Sequence, residues 1–158
     1  MKHADLINGK SEIVSVTGDN PLHRYTYKDA FRRVRQMANA LQKVGFEAGD
    51  RIATLAWNDY RHFELYYGIS CSGQICHTIN PRLFPEQIEY IINHAEDKWV
   101  FTDVLFLPLL EQLQDRLPTV EGFVVLTDSA NMPDTSLRNA HCYETFIGSQ
   151  SDSFEWPE

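Results

Sequence analysis

Apolar residues along this chain recur at two spacings, one typical of helices and one typical of buried strands. The clearest helical stretch lies between residues 26 and 45, where one face is apolar: Ala30, Val34, Met37, Leu41 and Val44. Thr26 can cap the start of this helix, Asp29 adds negative charge near its N-terminus, and Gly45 can end it. The basic residues predict a solvated opposite face rather than a phosphate site: Arg32, Arg33, Arg35 and Lys43.

Four short apolar runs further along the chain predict strands that are buried in a parallel sheet. They are RIATLA (51–56), ICHTI (75–79), KWVFT (98–102) and GFVVLT (122–127). Helical patterns separate them at residues 59–74, 85–97 and 104–117. Strands that alternate with helices imply right-handed crossovers. The pattern therefore predicts a three-layer α/β fold, in which a mostly parallel sheet carries helices on both faces.

The helix over residues 59–74 is predicted to pack through an apolar side that includes small residues for close packing. The residues predicted on that side are Phe63, Tyr66, Tyr67, Ile69 and Ser70.

Both ends of the chain lack this alternation. Residues 12–27 look like two strands, a small β-hairpin whose turn formers are Gly18, Asp19, Asn20 and Pro21. Beyond residue 127 the composition turns to Ser, Asn, Asp and Pro, which predicts a loop, then one short helix at 142–148 and a tail without an element. The pattern thus divides the chain into an α/β subdomain at residues 1–127 and a loop, short helix and tail at residues 128–158.

Composition and charge narrow the class of protein. The chain has 158 residues, 43% of them hydrophobic, and a net charge of -8, which argues against a nucleic-acid surface and disfavours binding to anionic lipid. No apolar segment is long enough to span a bilayer, and the N-terminus has no secretory h-region. Cys71, Cys76 and Cys142 show no metal or redox spacing, so we expect reduced thiols in a cytoplasmic protein.

Polar residues follow the predicted strands, at the edge where an open parallel sheet binds its ligand. These strand exits are Trp57-Asn58, Asn80-Pro81-Arg82, Thr102-Asp103 and Thr127-Asp128. From these strand exits we select Asn58, Asn80 and Arg82 as candidate residues of a small-molecule cleft. An alternative stays open for each, because Asn, Asp and Pro also commonly end strands. Asn80 and Arg82 could equally fix their turn through hydrogen bonds from side chain to backbone.

Known catalytic motifs are missing from the sequence. The eight glycines are scattered, so neither G-x-G-x-x-G nor the P-loop pattern occurs, and the six histidines do not have zinc-site spacing. The stretch GISCSG falls inside a helix pattern and is not a nucleophile elbow. We therefore predict no catalytic, cofactor-binding or metal-binding residue in this chain.

Several short motifs occur in an order that identifies a family resemblance. They are Tyr25 to Tyr27, Gly49-Asp50, Asn58, the small residues from Gly68 to Gly73, Asn80-Pro81, and Ala95-Glu96-Asp97. From about Glu12 to about Leu126 the chain resembles the N-terminal region of the AMP-forming adenylating enzymes, most closely the long-chain and medium-chain fatty acid CoA ligases. The resemblance implies the first subdomain of an acyl-adenylate synthetase N-terminal domain.

This resemblance also implies an activity for a parent enzyme. In the family, a carboxylate reacts with ATP-Mg to give acyl-AMP and pyrophosphate, and CoA then displaces AMP. The family's phosphate loop and catalytic lysine have no counterpart here, and the tail leads toward where that loop would follow. We therefore expect the 158-residue chain alone to be inactive and to bind none of these cofactors.

Two other interpretations stay open. One is a ligase of the same family for an aryl or short-chain acid. The other is a stand-alone interaction domain of flavodoxin-like shape. The resemblance further implies a homo-oligomer such as a dimer. A subdomain separated from its usual neighbour would also expose apolar surface and associate through it.

Overall fold

The predicted alternation of strands and helices is present in the computed structural model, which describes residues 1–18 and 22–157. In chain order the elements are α1 (Lys2–Asn8), β1 (Glu12–Ser15), β2 (His23–Thr26), α2 (Tyr27–Val44), β3 (Arg51–Leu55), α3 (Tyr60–Cys71), β4 (Ile75–Thr78), α4 (Pro85–Ala95), β5 (Trp99–Thr102), α5 (Leu107–Leu113), β6 (Gly122–Val125), β7 (Ala140–Cys142) and α6 (Tyr143–Gly148). Short 3₁₀ segments at Val104–Phe106 and Gln114–Arg116 flank α5.

A parallel sheet forms the middle layer. Within the described residues it has five strands in the order β4-β3-β5-β6-β7. The chain moves from β3 to β4 in one direction, and then from β5 to β7 in the other. The order therefore reverses between β3 and β5, and such a switch point is where open α/β sheets bind ligands.

Helices cover both faces of this sheet, which confirms the predicted three-layer α/β architecture. One face packs on α4 and α5 through an apolar cluster that includes Ile88, Ile92, Leu110 and Leu113. The opposite face packs on α2, α3 and α6 through a second cluster that includes Met37, Leu41, Leu65, Ile69 and Ile147. Burial of these side chains is the main favourable term in folding.

The small hairpin is also confirmed. Strands β1 and β2 pair antiparallel, with Ile13 opposite Tyr25. Three of its predicted turn residues, Asp19, Asn20 and Pro21, lie outside the described residues.

The predicted ends of α2 are confirmed by their hydrogen bonds. The backbone N–H of Asp29 donates to Thr26 Oγ1 over 3.2 Å, and the N–H of Thr26 donates back to Asp29 Oδ2 over 3.2 Å, which makes a capping box. Gly45 ends the helix with a φ of 97°, a conformation that glycine adopts without strain. The predicted apolar face of α2 is buried except at Val44, which is exposed in the last turn.

The predicted packing side of α3 is largely wrong. Tyr66, Tyr67 and Ser70 are exposed. The helix instead buries polar residues together with Leu65 and Ile69: Arg61, His62 and Glu64. Buried polar groups need partners, and these come from residues far away in the sequence, which a search for apolar spacing cannot detect.

Two elements were not predicted. Strand β7 has only three residues, Ala-His-Cys, and none belongs to an apolar run, yet it pairs in parallel with β6. Helix α1 lies in the polar N-terminal segment and buries no residue. Because β7 lies in the sheet, residues after 127 contribute a strand to the middle layer. The division of the chain into two parts at residue 127 stays a prediction.

Residues 149–157 form no helix or strand, but they pack along α2. The Asn39 side-chain amide donates to the carbonyl oxygens of Ser151 and Ser153 over 2.9 Å each. The Trp156 ring stacks on Phe31 with 6.1 Å between centroids. A polar and an aromatic side chain of α2 thus hold this irregular segment in place.

Candidate functional site

A cleft of about 690 Å³ opens at the carboxyl edge of the sheet. It lies beside the exits of β3, β5 and β6, and therefore at the switch point. Its lining includes apolar side chains from four segments and a smaller number of charged ones: Val16, Trp57, Val104, Leu105 and Leu126, with Asp59, Arg61 and Asp103. Mostly apolar walls with a few polar groups are typical of small-molecule sites.

The exit of β3 is fixed by hydrogen bonds on both sides of Trp57. The backbone N–H of Trp57 donates to Asp103 Oδ2, which follows β5, over 2.7 Å. The carbonyl oxygen of Trp57 accepts a bond from His62 Nδ1 over 3.1 Å. The other nitrogen of His62 accepts from Thr54 Oγ1 over 3.0 Å. Burial lowers the pKa of His62, so the ring is neutral and suits this donor and acceptor pair.

Arg61 forms part of the cleft wall although its side chain is only 3% exposed. Its Nε donates to Glu144 Oε1 over 2.9 Å, and its Nη1 donates to the carbonyl oxygen of Leu126 over 3.3 Å. Its guanidinium carbon lies 4.8 Å from the centroid of the Tyr60 ring. Arg61 therefore connects the start of α6 to the exit of β6 beside the cleft.

Behind the cleft, buried charges connect α2, α3 and α6. Arg33 donates from Nε to Glu64 Oε1 over 2.7 Å and from Nη1 to Glu144 Oε2 over 2.9 Å. The Tyr143 hydroxyl donates to Glu64 Oε2 over 2.7 Å. The predicted solvated face of α2 is therefore wrong for Arg33, which pairs with carboxylates 31 and 111 positions away.

Burial and pairing shift the pKa values of these carboxyl groups in different directions. Burial raises the pKa of Glu64, and its contacts with Arg33 and Tyr143 oppose this effect. Burial also favours a higher pKa for Glu144. The hydrogen bonds and charges of Arg33 and Arg61 outweigh this effect, so the pKa of Glu144 is lowered. Glu144 thus stays ionised between two guanidinium groups, which is the arrangement that makes a buried carboxylate tolerable.

A separate ion pair lies away from the cleft. His77 Nδ1 donates to Asp97 Oδ2 over 2.7 Å, and Asp97 lies two residues before β5, at the amino edge of the sheet. The hydrogen bond to Asp97 raises the pKa of His77. This pair links the edge strand β4 to the start of β5.

The three residues selected from the sequence lie at strand exits on the same edge, but outside the lining of this cleft. Asn58 is exposed and borders a shallow depression between β1 and α3. Asn80 Oδ1 accepts a bond from the backbone N–H of Arg82 over 3.0 Å, the kind of contact that a turn-fixing role requires. The guanidinium carbon of Arg82 lies 5.8 Å from the Trp57 ring centroid.

Sequence reasoning identified Trp57, Asp103 and Thr127 as strand-exit residues without selecting them, and it did not identify Arg61. The order of the strands brings the first three together. Arg61 does not follow a predicted strand, because it lies in a helix. Its hydrogen bonds to Leu126 and Glu144 join residues 65 and 83 positions away, which no local sequence pattern indicates.

Neither a metal site nor a membrane span is apparent in the described part of the chain. In residues 1–18 and 22–157, no group of three or more His, Cys, Asp or Glu side chains is placed to hold a metal ion. Within the same residues, no helix has the length and apolar character needed to cross a bilayer.

Comparisons with known proteins agree with one another. The family model described as AMP-binding enzyme matches residues 7–151. A medium-chain-fatty-acid–CoA ligase from Ectopseudomonas oleovorans is 42% identical over all of this chain. A 3-methylmercaptopropionyl-CoA ligase from Ruegeria lacuscaerulensis is 43% identical over 98% of it. The chain spans only 29% of the length of each of these two relatives.

Solved structures share the fold. An anthranilate CoA ligase in complex with anthranoyl-AMP matches 85% of this chain with a TM-score of 0.78 and 24% identity, and the match covers 25% of that protein. An acyl-CoA synthetase from Brucella canis matches 97% of the chain with a TM-score of 0.79 and 17% identity, over 27% of its own length. At such low identity these structures support the architecture alone.

Proposed function

Because this chain belongs to the AMP-binding enzyme family, we propose that it forms the N-terminal region of an AMP-forming, ATP-dependent fatty acid CoA ligase. The supporting observation is the 42% identity to a medium-chain-fatty-acid–CoA ligase, maintained over the whole chain. The proposed reaction joins a carboxylate to AMP, with release of pyrophosphate, and then transfers the acyl group to the thiol of CoA. Activation is needed because a carboxylate oxygen is a poor leaving group, whereas AMP is a good one.

The residues of this chain do not fit a triphosphate site. Such a site needs clustered glycines, whose backbone N–H groups approach the anion, and a lysine that holds it. The eight glycines here are isolated from one another along the chain. We therefore propose that the 158-residue chain alone has no ligase activity, and that the ATP, Mg²⁺ and CoA of the reaction are bound mainly by other parts of the enzyme.

A pyrophosphate-release assay tests this proposal. The 158-residue chain is incubated with ATP, Mg²⁺, CoA and decanoate, and the enzyme that contains the chain serves as the positive control. We expect release at background level from the chain and acid-dependent release from the enzyme. Turnover by the chain alone would contradict its proposed inactivity, whereas an inactive enzyme would contradict the proposed reaction.

A second candidate substrate has equal support from sequence identity. The 3-methylmercaptopropionyl-CoA ligase is 43% identical to this chain, and the 3-methylmercaptopropionyl group is shorter than a medium-chain acyl group. An experiment that distinguishes the two substrate classes measures kcat/KM of the enzyme for four acids: decanoate, palmitate, benzoate and 3-methylmercaptopropionate. The highest value for decanoate or palmitate supports a fatty acid ligase. The highest value for one of the other acids supports the aryl or short-chain alternative.

Arg82 is our candidate for contact with an anionic group of a substrate. It is an exposed cation at the carboxyl edge, and Asn80 fixes the turn that carries it. In the enzyme, we expect Arg82→Ala to raise the KM of one anionic substrate among ATP, CoA and the acid. Arg32→Ala, which removes a half-exposed cation on α2, is the control. Unchanged KM values for all three substrates would exclude this role.

We also propose a cytoplasmic location. The support is that Cys71, Cys76 and Cys142 are free thiols, as expected where glutathione and thioredoxin keep cysteines reduced. Fractionation of cells that express the tagged enzyme tests this. Recovery with secreted or membrane material would contradict it.

A further inference from the structure

The ring of His23 lies between the β-hairpin and α3. It stacks on the Tyr60 ring with 3.6 Å between centroids and 11° between planes, and it meets the Tyr25 ring edge-on at 4.9 Å. Opposite His23 in the hairpin, Ser15 Oγ accepts a hydrogen bond from the backbone N–H of Tyr60 over 3.2 Å. Both strands of the hairpin therefore contact Tyr60, the first residue of α3.

The same hairpin contributes a wall of the cleft. Val16, Thr17 and Gly18 follow β1 and line the cleft, as does Asp59, which immediately precedes Tyr60. The contact between the hairpin and α3 therefore determines where this wall stands. If the contact opened, the cleft would lose one of its sides.

The surroundings of His23 disfavour a protonated ring. Nε2 is buried and has no hydrogen-bond partner in the described residues. The guanidinium carbons of Arg61 and Arg33 lie 4.8 and 5.5 Å from the centroid of Tyr60, on which His23 stacks. Burial lowers the pKa of His23, and the charges of Arg33 and Arg61 lower it further. The hydroxyls of Tyr25 and Tyr60 add no charge, because burial raises the pKa of both.

Two carboxylates near His23 act in the opposite direction, but both have other partners. Glu144 and Asp59 each favour a protonated ring. Glu144 Oε1 accepts from Arg61 Nε over 2.9 Å, and Asp59 Oδ1 accepts from the backbone N–H of His62 over 2.9 Å. Their effect does not outweigh burial and the arginine charges, so the ring of the docked hairpin is neutral near pH 7.

We propose that the β1–β2 hairpin is an acid-sensitive wall of the cleft, which separates from α3 when His23 takes up a proton. The imidazolium would be a third cation beside Arg33 and Arg61, without an acceptor for its Nε2–H among the residues that the structure describes. In the separated hairpin the ring enters water, which stabilises its charge. The contact belongs to the fold of this chain and does not depend on the ligase reaction proposed above.

The direction of the pH dependence follows from the two states of the ring. In water the pKa of histidine is 6.5, and in the docked hairpin it is lower. The separated state therefore binds more protons, so docking weakens as the pH falls below 6.5, by at most about tenfold per pH unit. At higher pH the ring is neutral in both states, and docking is strongest there.

Hydrogen–deuterium exchange tests this proposal in the enzyme that contains the chain. Protection of the backbone N–H groups of residues 12–26, corrected for the intrinsic exchange rate, is measured at about pH 7.5 and about pH 5.5. A two-stranded hairpin is marginally stable by itself, so its N–H groups exchange once it separates. We expect protection to fall roughly three- to tenfold at the lower pH. Protection of β6 in the sheet should not change.

His23→Phe keeps a ring that can stack on Tyr60 but cannot take up a proton, so its protection should be equal at both pH values. His23→Gln, with a smaller neutral side chain, should likewise remove the pH dependence. His94→Phe is the matched control, because His94 is exposed on α4, and it should respond like the wild type.

Unchanged protection of the wild-type hairpin would overturn the proposal, as would an equal fall in the wild type and in both His23 variants. Because exchange requires no turnover, the result is independent of whether the enzyme activates an acid.

Discussion

Glu64 shows how a single residue can carry much of the stability of this fold. Its carboxylate has no exposed surface and lies between the Arg33 guanidinium and the Tyr143 hydroxyl. Removing Glu64 takes away one of the two carboxylates that Arg33 binds and leaves the buried Tyr143 hydroxyl without its acceptor. Breaking a buried ion pair costs about 3–5 kcal/mol. We expect Glu64→Ala to lower the free energy of unfolding by about that amount, measured by urea denaturation.

Two other variants test the same contact. Tyr143→Phe removes only the hydroxyl that donates to Glu64, so a loss of about 1.5–3 kcal/mol is expected. Glu47→Ala is the control, because Glu47 is exposed and its removal should change stability by less than about 0.5 kcal/mol. If Glu64→Ala changed stability as little as Glu47→Ala, the ion pair would contribute nothing.

His77 makes the stability depend on pH. Its hydrogen bond to Asp97 raises the pKa of His77 in the folded chain above the ordinary 6.5 of the unfolded chain. Its contribution is therefore fully present below pH 6.5 and is lost as the pH rises through the raised folded pKa. We expect the difference in unfolding free energy between wild type and His77→Asn to be larger near pH 6 than near pH 9.

Asp97→Asn provides the matched test, because it removes the charge that favours protonated His77. The pH dependence that the wild type owes to His77 should then disappear in the variant. If the difference between wild type and His77→Asn were the same at both pH values, the ion pair would make no pH-dependent contribution.

At the scale of elements, the contact between β6 and β5 depends on the absence of a side chain at Gly122. A Cβ atom there would lie 2.7 Å from Cζ2 of Trp99 and 2.8 Å from Nδ2 of Asn139. The Trp99 ring cannot withdraw easily, because Phe46 and His141 pack against it. We expect Gly122→Ala to destabilise the fold by about 1–3 kcal/mol in urea denaturation.

Gly148→Ala is the control for this substitution. No atom lies within 4 Å of a Cβ at Gly148, so the change should be neutral or slightly stabilising. Equal stability of the two variants would show that the strands shift to accommodate the extra carbon.

Elements with local signals could be predicted from the sequence, whereas elements held by distant partners could not. The start of α2 is set by Thr26 and Asp29, three positions apart, and both were identified. Strand β7 has no apolar run and is held by pairing with β6. The packing side of α3 depends on Arg33, Tyr143 and Glu144, and no local spacing reports these contacts.

For the whole molecule, the alternation of strands and helices determined the layers, but it did not determine the candidate site. The reversal of strand order places Trp57 and Asp103 side by side although they are 46 positions apart. The sequence pattern places both residues at strand exits, but strand order alone decides which exits are adjacent. The cleft is therefore a product of topology, and its lining had to be found from the structure.

Exposed apolar side chains at the carboxyl edge also predict self-association of the 158-residue chain. Leu105 is 69% exposed beside Trp57 and Val104, and clusters of this kind commonly mark contact surfaces. We expect light scattering at high concentration to give a mass above the monomer value of 18.3 kDa. Leu105→Glu should reduce the mass, because association would then bury a charge. Leu6→Glu, at an 81% exposed position on α1, should not. A wild-type chain that remains at 18.3 kDa would contradict the prediction.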